Sequence, residues 1–267
     1  MHLKGCLTKL REARPLVHAI TNYVTVNDCA NITIALGGSP AMIDSKEEVT
    51  EFVRLANALY VNIGTLREEQ KESIYLAMDK ASELEIPIVL DPVGAAALKS
   101  RLMMVKDLLS RFKVACLKGN IAEIKCIAER DAKASGVDSL ERGEGVELVT
   151  AELSNYYKTV VVATGPKDYL SKGEKTYLVN NGSPLLGRIT GSGCMLGIIT
   201  GAFLGSVDND LKACLAATVT YGVVGELAEK SVRQSSDLGS FRMKIFDHTA
   251  SLTEEILCDA EDYYEYK

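Results

Sequence analysis

Between Pro15 and Gly165 the chain alternates short apolar runs with longer stretches in which apolar residues return every three or four positions. The runs are "PLVHAIT" (Pro15–Thr21), "ALYVNIG" (Ala58–Gly64), "IPIVLDPVG" (Ile86–Gly94), "KVACLKGN" (Lys113–Asn120) and "TVVVATG" (Thr159–Gly165). Each has strand length and ends in turn-forming or polar residues, so each is predicted as a strand. Helical periodicity follows the first four, most clearly in "VNDCANITIALG", which stops at Gly37 and Gly38, and in the charged "REEQKESIYLAMDKASELE". β-Branched runs separated by helices predict a mostly parallel central sheet flanked by helices on both faces, a three-layer α/β sandwich. The rhythm changes at "DYLSKGEKTYLVNNG", where two alternating runs around Lys172-Gly173 predict an antiparallel hairpin. From Thr190 onward the pattern is helical nearly throughout, and its glycines and alanines predict close helix packing. The acidic, tyrosine-rich tail "DAEDYYEYK" reads as a solvated or loosely packed end. With no repeat and no low-complexity linker, residues 1–267 read as a single domain.

Composition narrows the class. The chain is 47% hydrophobic and 25% charged, which suits an ordinary globular protein with a large core. The net charge of −6, with Lys and Arg scattered, argues against nucleic acid or an anionic membrane as partner and favours a small-molecule substrate. Neither a signal sequence nor a membrane span is apparent, and the expected location is the cytoplasm. Seven cysteines without CxxC spacing suggest neither a disulfide framework nor a zinc site, and most read as buried thiols. His18 reads as a core or rim residue rather than a catalyst.

Chemistry collects where an open parallel sheet binds ligands, beyond the carboxyl ends of its strands. Asp91-Pro92, Lys118-Gly119-Asn120 with Glu123 one turn on, and Thr164-Gly165 all fall there. Singly, each reads more readily as turn chemistry or a solvated helix start. Together they bring two carboxylates, a lysine and several backbone amides to one rim, a set that suits Mg2+ held jointly by carboxylates, water and substrate phosphates. Near the end stands "RITGSGCMLGIITGAFLG" (Arg188–Gly205). Gly191, Ser192 and Gly193 can aim consecutive N–H groups at one point, and a helix starting around Cys194 adds its positive end, so this is an anion cradle. It matches neither the dinucleotide-binding glycine pattern nor the Walker phosphate loop. Cys194, in a field that favours negative charge, is a candidate acceptor for a substrate hydroxyl proton, or else a small residue packed under the turn.

Five stretches in order resemble the hydroxyethylthiazole kinase family: "VHAITNYVTVNDCANITIALGGSPAM" (Val17–Met42), "VLDPVGA" (Val89–Ala95), "KGNIAEI" (Lys118–Ile124), "VVATGPKDYL" (Val161–Leu170) and "ITGSGCMLG" (Ile189–Gly197). The first is highly specific, whereas the last is shared in outline with the wider ribokinase-like superfamily. The resemblance implies a ribokinase-like fold in a homotrimer with active sites between subunits. It also implies ATP-dependent phosphorylation of 4-methyl-5-(2-hydroxyethyl)thiazole, a step of thiamin salvage, with Mg2+ as cofactor. On this resemblance Asn22, Met42 and Gly191 contact the thiazole, Lys118 and Thr164 contact ATP, and Asp91 and Glu123 organise magnesium. Cys194 stands where other ribokinase-like kinases carry the aspartate that accepts the hydroxyl proton. Many members have Arg where this chain has Lys118, so the charge is kept and the bidentate fork is lost. The rival expectations are another ribokinase-like kinase for a pyrimidine or pyridoxal alcohol, the nucleotide-repair dehydratase of the same fold, and a non-catalytic sensor of thiazole or ATP.

Overall fold

All five sequence-predicted strands form, and they share one sheet with four more. The computed structural model describes residues 1–135 and 145–266. Its strands are β1 (Leu16–Ile20), β2 (Ser39–Ala41), β3 (Ala58–Asn62), β4 (Ile88–Asp91), β5 (Cys116–Asn120), β6 (Val160–Thr164), β7 (Asp168–Lys172), β8 (Lys175–Val179) and β9 (Tyr263–Tyr266). They lie in the order β2-β1-β3-β4-β5-β6-β7-β8-β9. Pairings from β2 to β6 are parallel, and those from β6 to β9 are antiparallel, β7 and β8 forming the expected hairpin.

The helices are α1 (Cys6–Ala13), α2 (Val26–Leu36), α3 (Val49–Val53), α4 (Glu68–Glu83), α5 (Lys99–Arg111), α6 (Ile121–Ser135), α7 (Val146–Tyr157), α8 (Ser192–Leu204), α9 (Asp210–Lys230), α10 (Leu238–Ser251) and α11 (Glu254–Ala260). Strand alternation sorts side chains into two cores. In β3, Tyr60 joins one and Leu59 and Val61 the other; in β6, Val160 and Val162 oppose Val161 and Ala163. The first core packs on α1, α2, α8, α9, α10 and α11, the second on α3 to α7, giving the expected three layers. Helix α9 is long and apolar enough to cross a membrane by composition, but 83% of its apolar window is buried in the fold, where it serves as a core helix.

Two segments depart from the sequence reading. The three-residue β2 pairs only with β1 at the sheet margin, a place that tolerates the missing donor of Pro40. The tail is exposed as expected, but 263–266 is an ordered edge strand on β8 rather than a loose end. Tyrosines have strand propensity, and the Tyr177 hydroxyl donates to Glu265 at 2.8 Å.

Candidate active site

The carboxyl ends of the parallel strands bring Asn62, Asp91, Asn120 and Thr164 to one edge, with Asn62 in register with Asp91 and Asn120 with Thr164. Lys118 crosses from this edge to the start of α8, donating to Asp91 Oδ2 at 3.1 Å and to the carbonyl of Gly193 at 2.9 Å. Asp91 Oδ2 also accepts from the Tyr60 hydroxyl at 3.0 Å and Asn62 Nδ2 at 3.1 Å. Both Asp91 and Lys118 are buried, so neither charge is tolerable without the other. Burial by itself pushes the Lys118 ammonium down, but Asp91 and its neighbours outweigh it and the pKa is raised, so the lysine is charged.

The expected glycine turn and helix start form, the helix beginning at Ser192 rather than around Cys194. Gly191 precedes α8 at φ +83°, and a Cβ there would stand 2.7 Å from Thr25 Cγ2, so both conformation and space require glycine. The helical ladder begins with Met195 donating to the Gly191 carbonyl at 2.9 Å, which leaves the preceding amides free for an anion. Cys194 Sγ lies within hydrogen-bonding reach of two side-chain amides, Asn22 Nδ2 at 3.4 Å and Asn62 Nδ2 at 3.3 Å. Both donate toward sulfur, so the thiol acts as an acceptor and its own proton is free to point elsewhere.

Glu123 has a structural task as well as a position. Its Oε2 accepts from the Asn120 amide at 2.9 Å, while Asn120 Oδ1 accepts from the Glu123 amide at 2.9 Å, a capping box that starts α6. Its Oε1 accepts from the Gly94 amide at 2.8 Å, which ties the β4 turn to the same helix start. Burial is the largest influence on this carboxyl and its pKa is raised. Asp91, at the end of β4, and Glu123, in the first turn of α6, supply hard oxygen donors. Among the described residues no cluster of three or more His, Cys, Asp or Glu could cage a metal. That donor set fits an ion that keeps water and phosphate ligands, as magnesium does.

A cavity of about 680 Å³ runs past Gly191, Ser192 and Gly193 and is walled by Asn120, Thr164 and Tyr221. Asp168 lines it too; although partly exposed at its surface, it sits within the concavity, and loss of water contact pushes its carboxyl up to about 7 against the Gly165 amide and the Lys118 charge. The structure thus brings Asn22, Asp91, Lys118, Glu123, Thr164, Gly191 and Cys194 to one rim. Met42 is set apart, in a second cavity of about 230 Å³ with Thr21, Tyr23, Arg67 and Gln70. His18 is a core residue, its Nε2 bonded to the Ile43 carbonyl at 2.8 Å and its ring edge-on to Phe52. Asn62, Tyr60, Asp168 and Tyr221 escaped the sequence reading; the one signal was Asn62, a polar residue closing an apolar strand.

A family model described as the hydroxyethylthiazole kinase family matches residues 7–255. A protein named hydroxyethylthiazole kinase from Natranaerobius thermophilus is 63% identical over 251 residues, covering 94% of this chain and 92% of that one. The solved structure of a hydroxyethylthiazole kinase protein from Pyrococcus horikoshii superposes with a TM-score of 0.90 at 39% identity, covering 99% of each chain. A ribokinase-like superfamily protein from Enterococcus faecalis, 11% identical, shares the fold with a TM-score of 0.66 over 92% of this chain and 89% of that one.

Proposed function

We propose a division of labour among the residues of the rim, on the premise that the chain belongs to the hydroxyethylthiazole kinase family. The protein is a phosphotransferase with an alcohol acceptor: it phosphorylates the hydroxyl of 4-methyl-5-(2-hydroxyethyl)thiazole with ATP in thiamin salvage. Kinases of this kind take ATP with a divalent metal, and the two buried carboxylates favour magnesium as that metal. We read the chain as a single kinase domain, since all nine strands among the described residues join one sheet.

The observation that carries the assignment of roles is the Lys118 bridge between Asp91 and the Gly193 carbonyl, which fixes the strand ends against the cradle. Phosphoryl transfer asks little covalent work of a protein and depends on positioning and charge stabilisation. The amides of 192–194 face the oxygens of the transferred group, and Lys118 supplies a fixed positive charge beside them. Thr164, whose hydroxyl bonds the Gly119 carbonyl at 3.3 Å, lines the nucleotide side of the cavity. Magnesium, when bound with ATP, neutralises phosphate charge, and Asp91 and Glu123 are the residues that would hold it and its waters. Asn22 ties the thiazole side to Cys194, and Gly191 meets the substrate with its backbone, the space a side chain would take being filled by Thr25. Cys194 then lies beside the reacting hydroxyl. In a loose transition state that proton leaves late, so a thiol suffices where related kinases use a carboxylate.

Met42 stands in a cavity separate from the cradle, and Tyr23 on its wall is 73% exposed. Both facts favour a homotrimer in which one subunit's Met42 pocket completes a neighbour's cradle. Seven unpaired thiols suit a reducing compartment, the cytoplasm. The reading is tested by incubating purified protein with magnesium, ATP and a panel of thiazole, pyrimidine and pyridoxal alcohols. Thiazole phosphate is the expected product, and its absence with the others phosphorylated would overturn the substrate assignment.

A further inference from the structure

One ion pair near the cradle has no part in the reaction as described. Asp28, on α2, is only 3% exposed, and its Oδ1 accepts from Arg242 Nη2 on α10. The arginine side chain is 47% exposed, so the pair joins a buried carboxylate to a half-solvated cation. Among the described residues nothing else donates to the carboxylate, and Oδ2 stands 3.7 Å from where a Cβ on Gly191 would be. The carboxylate also bears on Tyr221: burial first, then the thiols of Cys29 and Cys194 and the charge of Asp28 raise that phenol, although its bond to Ser192 Oγ opposes the rise. Asp28 therefore stands directly behind the first turn of α8, where the proposed function places the ATP phosphates.

A bare carboxylate at that place opposes the function of the cradle. Like charges a few ångströms apart in a partly desolvated site repel enough to weaken anion binding by about tenfold. We propose that Arg242 is a positioning residue for phosphoryl transfer: by pairing with Asp28 it keeps the wall of the cradle electrically neutral, so that the free amides meet the ATP phosphates without a competing negative charge. Charge, rather than packing, is what the arginine contributes. The proposal rests on the reading of the rim as the ATP site.

The test is a double-mutant cycle read by calorimetric titration with magnesium-ATP and by steady-state kinetics, with thermal midpoints recorded for each variant. Arg242→Met should raise the Kd and KM for ATP by about tenfold with a smaller change in kcat. Asp28→Asn should bind ATP at least as tightly as the wild type. The double variant Asp28→Asn/Arg242→Met should return to within about threefold of wild-type affinity, as should Arg242→Lys, which keeps the charge. Wild-type affinity in Arg242→Met, or a double variant as weak as Arg242→Met, would overturn the proposal by reducing the pair to a structural tie. Should Arg242→Met fail to fold, weaker ATP binding by Asp28→Asn overturns it equally. A wild-type protein that binds no ATP would instead remove the underlying reading of the rim, and the proposal with it.

Discussion

At residue scale the cysteine at 194 is the feature that sets this rim apart from a carboxylate-based one. Its sulfur accepts from Asn22 and Asn62, so two amides hold it in the first turn of α8. Cys194→Ala should lose about ten- to a hundredfold in kcat with little change in ATP affinity, the low end of what a positioned acid or base contributes. Cys194→Asp should match or exceed the wild type, because a carboxylate there is ionised at neutral pH and accepts from the same two amides. Full activity in the alanine variant would make the thiol packing only, and a folded but inactive aspartate variant would move the substrate hydroxyl away from position 194. Asp91, Lys118, Glu123, Gly191 and Cys194 were visible in the sequence because each lies near the carboxyl end of a strand or opens a helix. Tyr60 was not, since an aromatic inside an apolar run looks like core, and only the fold reveals that its hydroxyl reaches Asp91. Asp168 looked like a hairpin residue for the same reason; its burial comes from the neighbouring cavity wall rather than from its own strand.

At element scale the site depends on how closely α8 approaches the sheet. A Cβ added at Gly197 would lie 2.5 Å from Tyr60 Cε2 and 2.7 Å from its hydroxyl, and Tyr60 is fully buried with nowhere to move. Gly197→Ala gains roughly 1 kcal/mol of helix propensity. Overpacking a filled core costs about 1–3 kcal/mol, occasionally more, and here also displaces the donor to Asp91. The clash wins, so denaturant unfolding should show net destabilisation, with a loss of kcat beyond what the fraction unfolded explains. A variant as stable and active as the wild type would mean that α8 can ride away from β3 freely. Periodicity found the long elements, because an amphipathic stretch such as α4 or a β-branched run such as β6 declares itself locally. It passed over β2 and α1, which are short, and read β9 as an unstructured end. The pairing of β9 depends on the open edge of β8, some ninety residues earlier in the chain, which no local pattern records.

At the scale of the whole molecule, the sandwich was legible from alternation alone, whereas the separation of Met42 from the cradle was not: it was legible only through the resemblance, which implies active sites between subunits, and the fold puts the two in different cavities. The proposed site shared between copies would reconcile the two. Mixing Met42→Arg with Gly191→Asp, each inactive alone, should then restore part of the activity in mixed oligomers, and no recovery once mixed oligomers are demonstrated would contradict a shared site. More fundamental than the sharing is the location of the phosphates, because every role proposed here is arranged around Lys118 and the start of α8. The most direct measurement is therefore kcat/KM for ATP in Lys118→Met, on protein shown to be folded, with thiazole phosphate as the quantified product. Losing a buried charge-assisted contact to phosphate should lower it by about a hundredfold while leaving the affinity for the thiazole alcohol nearly unchanged. A folded variant that still forms thiazole phosphate with kcat/KM for ATP within threefold of the wild type would show that the phosphates do not bind at this rim.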